Sequence, residues 1–315
     1  MNFKDFKSKY QKKDVYETSN KVVQNPILSV CVQTYNHGEY IGQCLDGILM
    51  QKTNFSYEIL LSEDDSSDET RKICIEYAEK YPETIRLFLH DRKNNIKING
   101  SATGRYCFLW NLKHSNGKYI ALCEGDDYWT DPLKLQKQVD FLKAHPDVNI
   151  CFTRANVLTN NTLKLHEIPK VFNNEPFKYI DLLKKHNFIV TASVMFKKPN
   201  PFVLPDWFLK VPFGDISIYK LVAQNKEIQC INEVTCVYRV HDNGIYSGLN
   251  LLKARQNYLN FFEIIFPHLD TEEKQVVKVK IKEKHKEIAK IKYSNSKWKM
   301  LCYYAYLRLN NLFKS

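Results

Sequence analysis

The chain has 315 residues, of which 44% are hydrophobic and 26% are charged, as in an ordinary globular protein. Its net charge of +11 comes from the residues at the two ends of the chain. Residues 1–22 hold six lysines against three acids, residues 249–315 hold fourteen basic against six acidic residues, and the stretch between them is close to neutral. Because the body carries no basic surplus and no recognised binding motif, we expect no nucleic-acid partner.

Neither a targeting segment nor a membrane-spanning segment is predicted. Met1 to Lys13 lacks an apolar core of signal-peptide length, and no segment approaches the roughly 18 apolar residues of a transmembrane helix. The nine cysteines show no C-x-x-C pair and no zinc spacing, and several lie inside apolar runs. Such cysteines are typical of reduced, buried side chains, so a cytoplasmic protein is expected.

Strands and helices are predicted to alternate through the first half of the chain. After a basic arm over residues 1–25, the predicted strands cover residues 27–33, 57–62, 85–90, 119–123 and 149–155. Four helices are predicted between these strands. Two are indicated by the apolar positions within residues 41–49 and 73–81, and the other two cover residues 106–114 and 131–144. Ser66 and Glu69 form a plausible capping box for the second of these helices. This alternation predicts an α/β fold with a doubly wound, mostly parallel sheet.

The pattern weakens after residue 156 and becomes helical at the end. We predict a short helix over 179–185, a strand over 191–196, a helix from Asp215 to Gln224, and strand-like segments over 228–240. Residues 26–248 are then one domain, and residues 249–315 are a basic helical extension with helices over 251–266, 272–293 and 298–313.

The last predicted helix has an apolar stripe among basic residues. The stripe contains Trp298, Leu301, Cys302, Ala305, Leu309 and Leu312. Two interpretations stay open: the stripe packs on the protein's own body, or it lies in a membrane interface and uses the charge of anionic lipids.

The acidic stretch after the central strand is the strongest functional signal. Residues 119–123 form an apolar run of strand length, which leads into Glu124, Asp126 and Asp127. Three neighbouring carboxylates repel one another unless a cation lies among them, and hard ions such as Mn²⁺ or Mg²⁺ take oxygen ligands. The alternative is a solvated acidic loop, which an isolated charge run more often is.

Three sequence blocks resemble those of family 2 glycosyltransferases, in the same order. They are the first strand through Asn36, the second strand with the acids that follow it, and residues 117–129. The resemblance implies the GT-A fold, a nucleotide-sugar donor with a UDP-sugar favoured, a divalent metal, and inversion at the sugar carbon. It also implies a glycan or lipid-linked acceptor at the inner face of the cytoplasmic membrane, as in bacterial surface-polysaccharide biosynthesis.

Individual residues follow from the resemblance position by position. Nucleotide contacts are implied for Thr34, Tyr35, Asn36, Glu63, Asp64, Arg105 and Asp126. The implied metal ligands are Glu124, Asp126, Asp127 and His241. Asp215 matches the general base, for which the alternative is a helix N-terminal acid that complements the helix dipole. Trp129, Thr191 and Ser193 are candidates for acceptor binding, the last two because they alternate on one face of a predicted strand.

The chain departs from the family pattern at three places. The first acid of the D-x-D element is Glu124, Asp65 stands where glycine is usual, and Trp110 stands where members often carry arginine. Arg105 is the nearest basic residue of that helix.

Two other functions compete with the transferase. A nucleotidyltransferase would use a related sheet, but it would need a glycine-rich basic loop after the first strand, and residues 34–38 lack one. A non-catalytic basic module that binds membrane or nucleic acid would use the chain ends and would not need Asp126.

Overall fold

A computed structural model describes residues 3–169, 175–242, 244, 249–294 and 296–309. Its strands are β1 (Tyr16–Glu17), β2 (Leu28–Thr34), β3 (Tyr57–Glu63), β4 (Ile85–Leu89), β5 (Lys97–Ile98), β6 (Ser101–Ala102), β7 (Tyr119–Glu124), β8 (Tyr128–Trp129), β9 (Val148–Thr159), β10 (Thr162–Leu165), β11 (Val194–Lys197) and β12 (Glu227–Val240). Its helices are α1 (Phe3–Tyr10), α2 (Ile41–Leu49), α3 (Thr70–Lys80), α4 (Arg105–His114), α5 (Lys134–Ala144), α6 (Tyr179–Lys185), α7 (Gly214–Ala223), α8 (Leu251–Ile265), α9 (Thr271–Lys292) and α10 (Lys297–Leu309).

One large sheet runs through the molecule in the order β1-β4-β3-β2-β7-β11-β9-β12-β8, and β10 pairs with β9. Strands β4, β3, β2 and β7 are parallel, as the alternating pattern predicts. Beyond β7 the sheet is mixed, because β11 is antiparallel to both of its neighbours whereas β12 is parallel to β9. The predicted α/β fold is confirmed. The continuous parallel part of the sheet consists of β4, β3, β2 and β7.

Helices cover both faces of the sheet, so the first strands are buried on both sides. Leu28, Val30 and Val32 of β2 point to one face, against α2, α3 and α5. Cys31 points to the other face, where α1, α4 and α7 pack. Eight of the nine cysteines are buried as free thiols, as their apolar surroundings predict, and Cys302 is exposed.

The N-terminal arm is docked on the sheet and not loose. Phe6 of α1 is buried and its ring stacks on that of Tyr106 at a centroid distance of 5.1 Å. Strand β1 then pairs with the edge strand β4. The arm therefore covers a sheet edge that would otherwise be open.

The extension begins by packing on the domain. Phe261 and Ile265 of α8 and Val277 of α9 join the same core as α4 and α7. Glu273 of α9 forms an ion pair with Lys220 of α7. Among the helices described, none combines the length and the apolar composition that crossing a bilayer requires.

Three local predictions are corrected. The helix over 70–80 is not capped by a Ser66–Glu69 box; Asp68 accepts the hydrogen bond from the Thr70 amide instead, at 3.0 Å. The helix predicted from Asp131 begins at Lys134, after a turn. Residues 191–193 form a 3₁₀ turn, and the strand starts only at Val194, so Thr191 and Ser193 do not alternate on one strand face.

Candidate active site

The parallel strands β2, β3 and β7 end at the same edge of the sheet. Thr34 of β2 pairs in register with Glu63 of β3, and Gln33 of β2 pairs with Glu124 of β7. Open α/β sheets bind their ligands beyond the carboxyl ends of the strands. The polar residues that follow three separate strands are therefore brought together at one edge.

The three predicted acids form a compact cluster. Glu124, Asp126 and Asp127 can each direct one carboxylate oxygen so that these oxygens lie within 4.8 Å of one another. Gly125 passes so close to β2 that a Cβ atom on it would lie 2.6 Å from Thr34 Oγ1. Only a residue without a side chain fits there, and this close approach holds the carboxylates over the end of β2.

Two imidazoles converge on the carboxylate of Asp126. Nε2 of His241 lies 3.1 Å from Oδ2 of Asp126, and Nε2 of His37 lies 3.7 Å from the same oxygen. Burial opposes ionisation of Asp126, but hydrogen bonds, above all the one from His241, outweigh it and hold the pKa of Asp126 below its usual range. Burial also lowers the pKa of His37, which favours a neutral ring with a free lone pair. His37 is absent from the sequence prediction, since a single histidine in a loop carries no signal of its own.

The other two acids, Glu124 and Asp127, have raised pKa values, and a bound cation would favour their charged forms. Burial and repulsion from Asp126 raise the pKa of Glu124 to about 8 and place the pKa of Asp127 well above its usual range. Oδ1 of Asp127 accepts a hydrogen bond from the Arg239 amide at 2.9 Å, whereas its buried Oδ2 has no hydrogen-bond partner among the described residues. This orphaned oxygen, the repelling carboxylates and the neutral imidazole fit a divalent cation such as Mn²⁺.

Arg239 connects the acidic turn to α2. Its Nε donates to the carbonyl of Asp126 at 2.9 Å, and its Nη2 donates to Gln43 Oε1 at 2.7 Å. Its guanidinium also lies over the ring of Tyr40, at 4.6 Å. Arg239 thus fixes the backbone of the acid cluster, a role that the sequence does not reveal because it depends on β12 passing beside the turn.

A second group of residues lies beyond the ends of β2 and β3. The guanidinium of Arg92 stacks on the ring of Tyr35, 3.5 Å from its centroid, and forms an ion pair with Asp64. Asn95 also donates to Oδ2 of Asp64, at 2.9 Å. The buried Oδ1 of Asp64 has no nitrogen or oxygen donor within hydrogen-bond distance in the described part of the chain, and the Cys107 thiol is a further neighbour of this carboxylate. The group therefore offers a flat cationic platform beside an unused carboxylate acceptor.

The neighbouring candidates are already engaged within the protein. Glu63 is fully buried, pairs with Arg71 and accepts from the Ser66 amide at 2.7 Å. Asn36 has a left-handed backbone with φ of 53° and accepts from the Ser67 amide at 2.9 Å. Both residues hold the loops on which Tyr35 and Asp64 stand, and direct nucleotide contact by either remains a prediction.

Asp215 lies in the first turn of α7, as predicted. Its Oδ2 accepts a hydrogen bond from Asn187 Nδ2 at 2.6 Å. Burial raises the pKa of Asp215, although the Ile216 amide, Asn187 and the charge of Arg105 pull in the opposite direction. The charge of Asp215 in turn contributes to the raised pKa of Glu124, which places the two acids within electrostatic reach of each other.

Arg105 is buried beneath the segment that leads into α7. Its guanidinium donates to the carbonyl oxygens of Phe208 and Val211, at 2.8 and 3.1 Å. A Cβ atom on Gly214 would lie 3.1 Å from this guanidinium, so the chain passes directly over it. The observed contacts of Arg105 support Asp215 from below, and the predicted nucleotide contact stays a prediction.

Two of the three acceptor candidates lie below the surface. Trp129 is 2% exposed and its Nε1 donates to the Ala192 carbonyl at 2.8 Å. Ser193 is fully buried and its hydroxyl donates to the Val190 carbonyl at 2.7 Å. Both side chains lie beneath the surface of the site. In the case of Ser193, the 3₁₀ turn directs the side chain inward. Thr191 is partly exposed and remains a candidate.

Comparison with known proteins identifies related chains. The family model for glycosyl transferase family 2 matches residues 29–200. An uncharacterized protein of Mycobacterium tuberculosis is 37% identical over 226 residues, which is 70% of this chain and 60% of that protein. The UDP-Glc:α-D-GlcNAc-diphosphoundecaprenol β-1,3-glucosyltransferase of Escherichia coli is 26% identical over 70% of this chain and 80% of its own. The chain thus spans about 60% of the length of its mycobacterial relative.

Solved glycosyltransferase structures share the fold. Residues 1–349 of S. aureus TarS, in complex with UDP-GlcNAc, align with a TM-score of 0.58 and 14% identity over 88% of this chain and 78% of that one. A mannosyltransferase from Pyrobaculum calidifontis, in complex with GDP-Man and Mn²⁺, aligns with a TM-score of 0.55 and 16% identity over 98% of this chain and 86% of that one. The expected GT-A fold is confirmed, and the chain belongs to glycosyl transferase family 2.

Proposed function

We propose that the protein transfers a sugar from a nucleotide-diphosphate sugar to an acceptor hydroxyl, with inversion at the sugar carbon and with the help of a divalent metal. The observation that carries the proposal is the separation of two kinds of acid at one sheet edge. Glu124, Asp126 and Asp127 cluster around a site suited to a cation, whereas Asp215 stands apart on α7 with its own hydrogen-bond donor. Inverting transfer needs these two functions at different places.

Asp126, Asp127, Glu124 and His241 are the residues that would hold Mn²⁺ or Mg²⁺. When bound, such an ion supplies positive charge to the departing diphosphate. Asp126, at the centre of the cluster, is available as an ionised ligand because its pKa is lowered. The manganese in the mannosyltransferase complex supports this assignment by analogy of fold.

Asp215 is the proposed general base. In the reaction, the acceptor oxygen forms a bond to the sugar carbon, the bond from that carbon to the diphosphate breaks, and the electron pair leaves with the diphosphate. The acceptor proton passes to a carboxylate oxygen of Asp215. A base is most effective when its pKa lies near the working pH, and burial moves the pKa of Asp215 in that direction.

The platform of Tyr35 and Arg92 is the proposed seat of the nucleotide. Its flat cationic face suits a base and the nearby ribose, and Oδ1 of Asp64 can accept a hydrogen bond from a base N–H. A UDP-sugar is the favoured donor. The UDP-GlcNAc complex of TarS and the UDP-Glc donor of the Escherichia coli relative support this choice.

We place the enzyme in bacterial cell-surface polysaccharide biosynthesis, with a glycan or lipid-linked acceptor at the cytoplasmic face of the membrane. The diphosphoundecaprenol acceptor of the Escherichia coli relative supports a lipid-linked acceptor. The eight buried free thiols are consistent with a reducing compartment.

The test is the thermal stability of the protein with UDP, GDP, CDP or dTDP, each with and without Mn²⁺, in wild type and Asp126→Ala. A ligand that binds only the folded protein raises its melting temperature. We expect UDP to do so in a metal-dependent way that Asp126→Ala abolishes. If no nucleotide shifts the melting temperature with Mn²⁺ present, the transferase proposal is wrong.

A further inference from the structure

The C-terminal helix α10 exposes the apolar stripe that the sequence predicts. Trp298 is 74% exposed and Leu301 is 64% exposed, and Cys302 and Ala305 are exposed as well. These four residues have the i, i+3, i+4, i+7 spacing of one helix face. The side chain of Leu309 and all of Leu312 lie outside the described residues. The described part of the stripe therefore does not pack on the body of the protein.

The opposite side of α10 is the one that holds it in place. The hydroxyl of Tyr303 lies 2.8 Å from Nδ1 of His285 on α9, and its ring packs beside that of Tyr293 at 5.7 Å. The apolar face thus points outward because Tyr303 points inward. Large exposed apolar residues that recur along one helix face mark an interaction surface.

Helix α9 carries unbalanced positive charge on its outer side. Lys278, Lys282, Lys286 and Lys290 follow one another at i, i+4 spacing; three of them are exposed, and Lys282 is partly exposed. Lysines at this spacing repel one another. The glutamates of α9 pair elsewhere: Glu283 with Lys280, and Glu287 with Lys284 and Arg255. In the described part of the chain, the four outer lysines form no ion pair.

We propose that α10 and the outer lysines of α9 form a docking surface for a bilayer that contains anionic lipid. Trp298 and Leu301 would enter the interface, and the lysines would lie against the headgroups, with Lys299 next to Trp298 in sequence. An anionic surface is the partner that complements repelling lysines, whereas a neutral protein partner would leave them uncompensated. The inference deepens the proposed function, because an acceptor carried by a membrane must be met at its surface.

The arrangement also links this surface to the active site. Helix α8, which packs against α9, contacts the turn of the β5–β6 hairpin through Asn260, whose Nδ2 donates to Asn99 Oδ1 at 2.8 Å. Tyr258 of the same helix packs on Phe213, two residues before Asp215, at a ring distance of 4.7 Å. Helices α8 and α9 thus connect the proposed docking surface to the elements that position the proposed general base.

The protein contains its own reporter for the test. Of its four tryptophans, Trp110, Trp129 and Trp207 are at most 9% exposed, so changes in fluorescence on docking arise from Trp298. The purified protein is titrated with phosphatidylcholine vesicles with and without phosphatidylglycerol, and with vesicles that contain brominated lipid. We expect a blue shift and quenching by bromine only with the anionic vesicles, weakened by salt.

Two matched variants assign the surface. Lys282→Gln/Lys286→Gln/Lys290→Gln removes three outer charges of α9, and Lys52→Gln/Lys80→Gln/Lys143→Gln removes three exposed charges of the catalytic domain. At about fivefold per lysine, the first variant should bind roughly 100-fold more weakly and the second should bind like wild type. Equal weakening of both variants, or no shift with wild type, overturns the proposal.

Light scattering tests whether the apolar stripe of α10 binds a second copy of the chain instead of lipid. A concentration-dependent dimer that Leu301→Ser dissolves, without vesicle binding, would assign the stripe to a second copy of the chain and overturn the lipid proposal. Neither nucleotide nor acceptor takes part in these measurements, so the docking surface and the transferase proposal can fail separately.

Discussion

Nδ2 of Asn187 lies 2.6 Å from Oδ2 of Asp215 and fixes the direction in which that carboxylate points. Asn187 is itself held, because its Oδ1 accepts from the Ile189 amide at 3.1 Å. The residue before it, His186, has φ of 76° and ψ of 168°, a backbone region almost restricted to glycine. A strained residue next to a residue that orients a buried acid indicates that the position of Asp215 is functionally important.

Asn187→Ala should therefore slow the reaction without weakening donor binding. The loss of one hydrogen bond to a charged group corresponds to about a 10- to 100-fold lower kcat, whereas the KM for the donor should stay near the wild-type value. Steady-state kinetics measure both. Asn149→Ala is the matched control, because Asn149 donates to the Val222 carbonyl at the far end of the same helix. It should lower the melting temperature and leave kcat unchanged. An equal loss of kcat in the control would show that Asn187 acts only through stability.

The two acids at the end of β3, Glu63 and Asp64, should separate into a structural residue and a binding residue. Asp64 has an unused oxygen beside the Arg92 platform, so Asp64→Ala should weaken UDP binding about 10- to 100-fold, measured by calorimetry with Mn²⁺ present. Glu63 is occupied by Arg71, so Glu63→Gln should cost about 2 kcal/mol of unfolding free energy and leave UDP affinity nearly unchanged once folded. The assignment of the nucleotide seat is wrong if the two variants exchange these effects.

The parts of this site that sequence predicts are those that follow a local pattern. Glu124, Asp126 and Asp127 come directly after an apolar run, and the end of a buried parallel strand is where a ligand site is expected. His37, Arg239 and Asn187 have no such pattern, because each acts through a residue at least 28 positions away. For residues 191–193 the sequence pattern gives a wrong prediction. The alternation of Thr191 and Ser193 is typical of a strand, but three residues are too few to distinguish a strand from the observed 3₁₀ turn.

His37 should contribute to metal binding together with His241. Its ring lies 3.7 Å from the Asp126 carboxylate, and burial favours its neutral form, which can ligate a cation. His37→Ala should weaken Mn²⁺ binding about tenfold, measured as free Mn²⁺ by electron paramagnetic resonance without any turnover. His145→Ala is the control, since His145 stacks on Phe141 outside the site. Equal affinity in His37→Ala and wild type would restrict His37 to a packing role.

Metal affinity should rise with pH up to about pH 8. Without metal, Glu124 has a pKa of about 8, because burial and repulsion from Asp126 disfavour its charged form. Below that pH the ion must displace the proton of Glu124, which contributes up to about tenfold in apparent affinity per pH unit, and Asp127, whose pKa is also raised, adds to this rise. Titration with Mn²⁺ between pH 6.5 and 8.5, in buffers of different ionisation enthalpy, measures the affinity and the protons released. Glu124→Gln has no proton to lose at this position, so it should bind more weakly and release about one proton fewer. A wild-type affinity that does not change with pH, or the same proton release in both proteins, would remove Glu124 from the metal site.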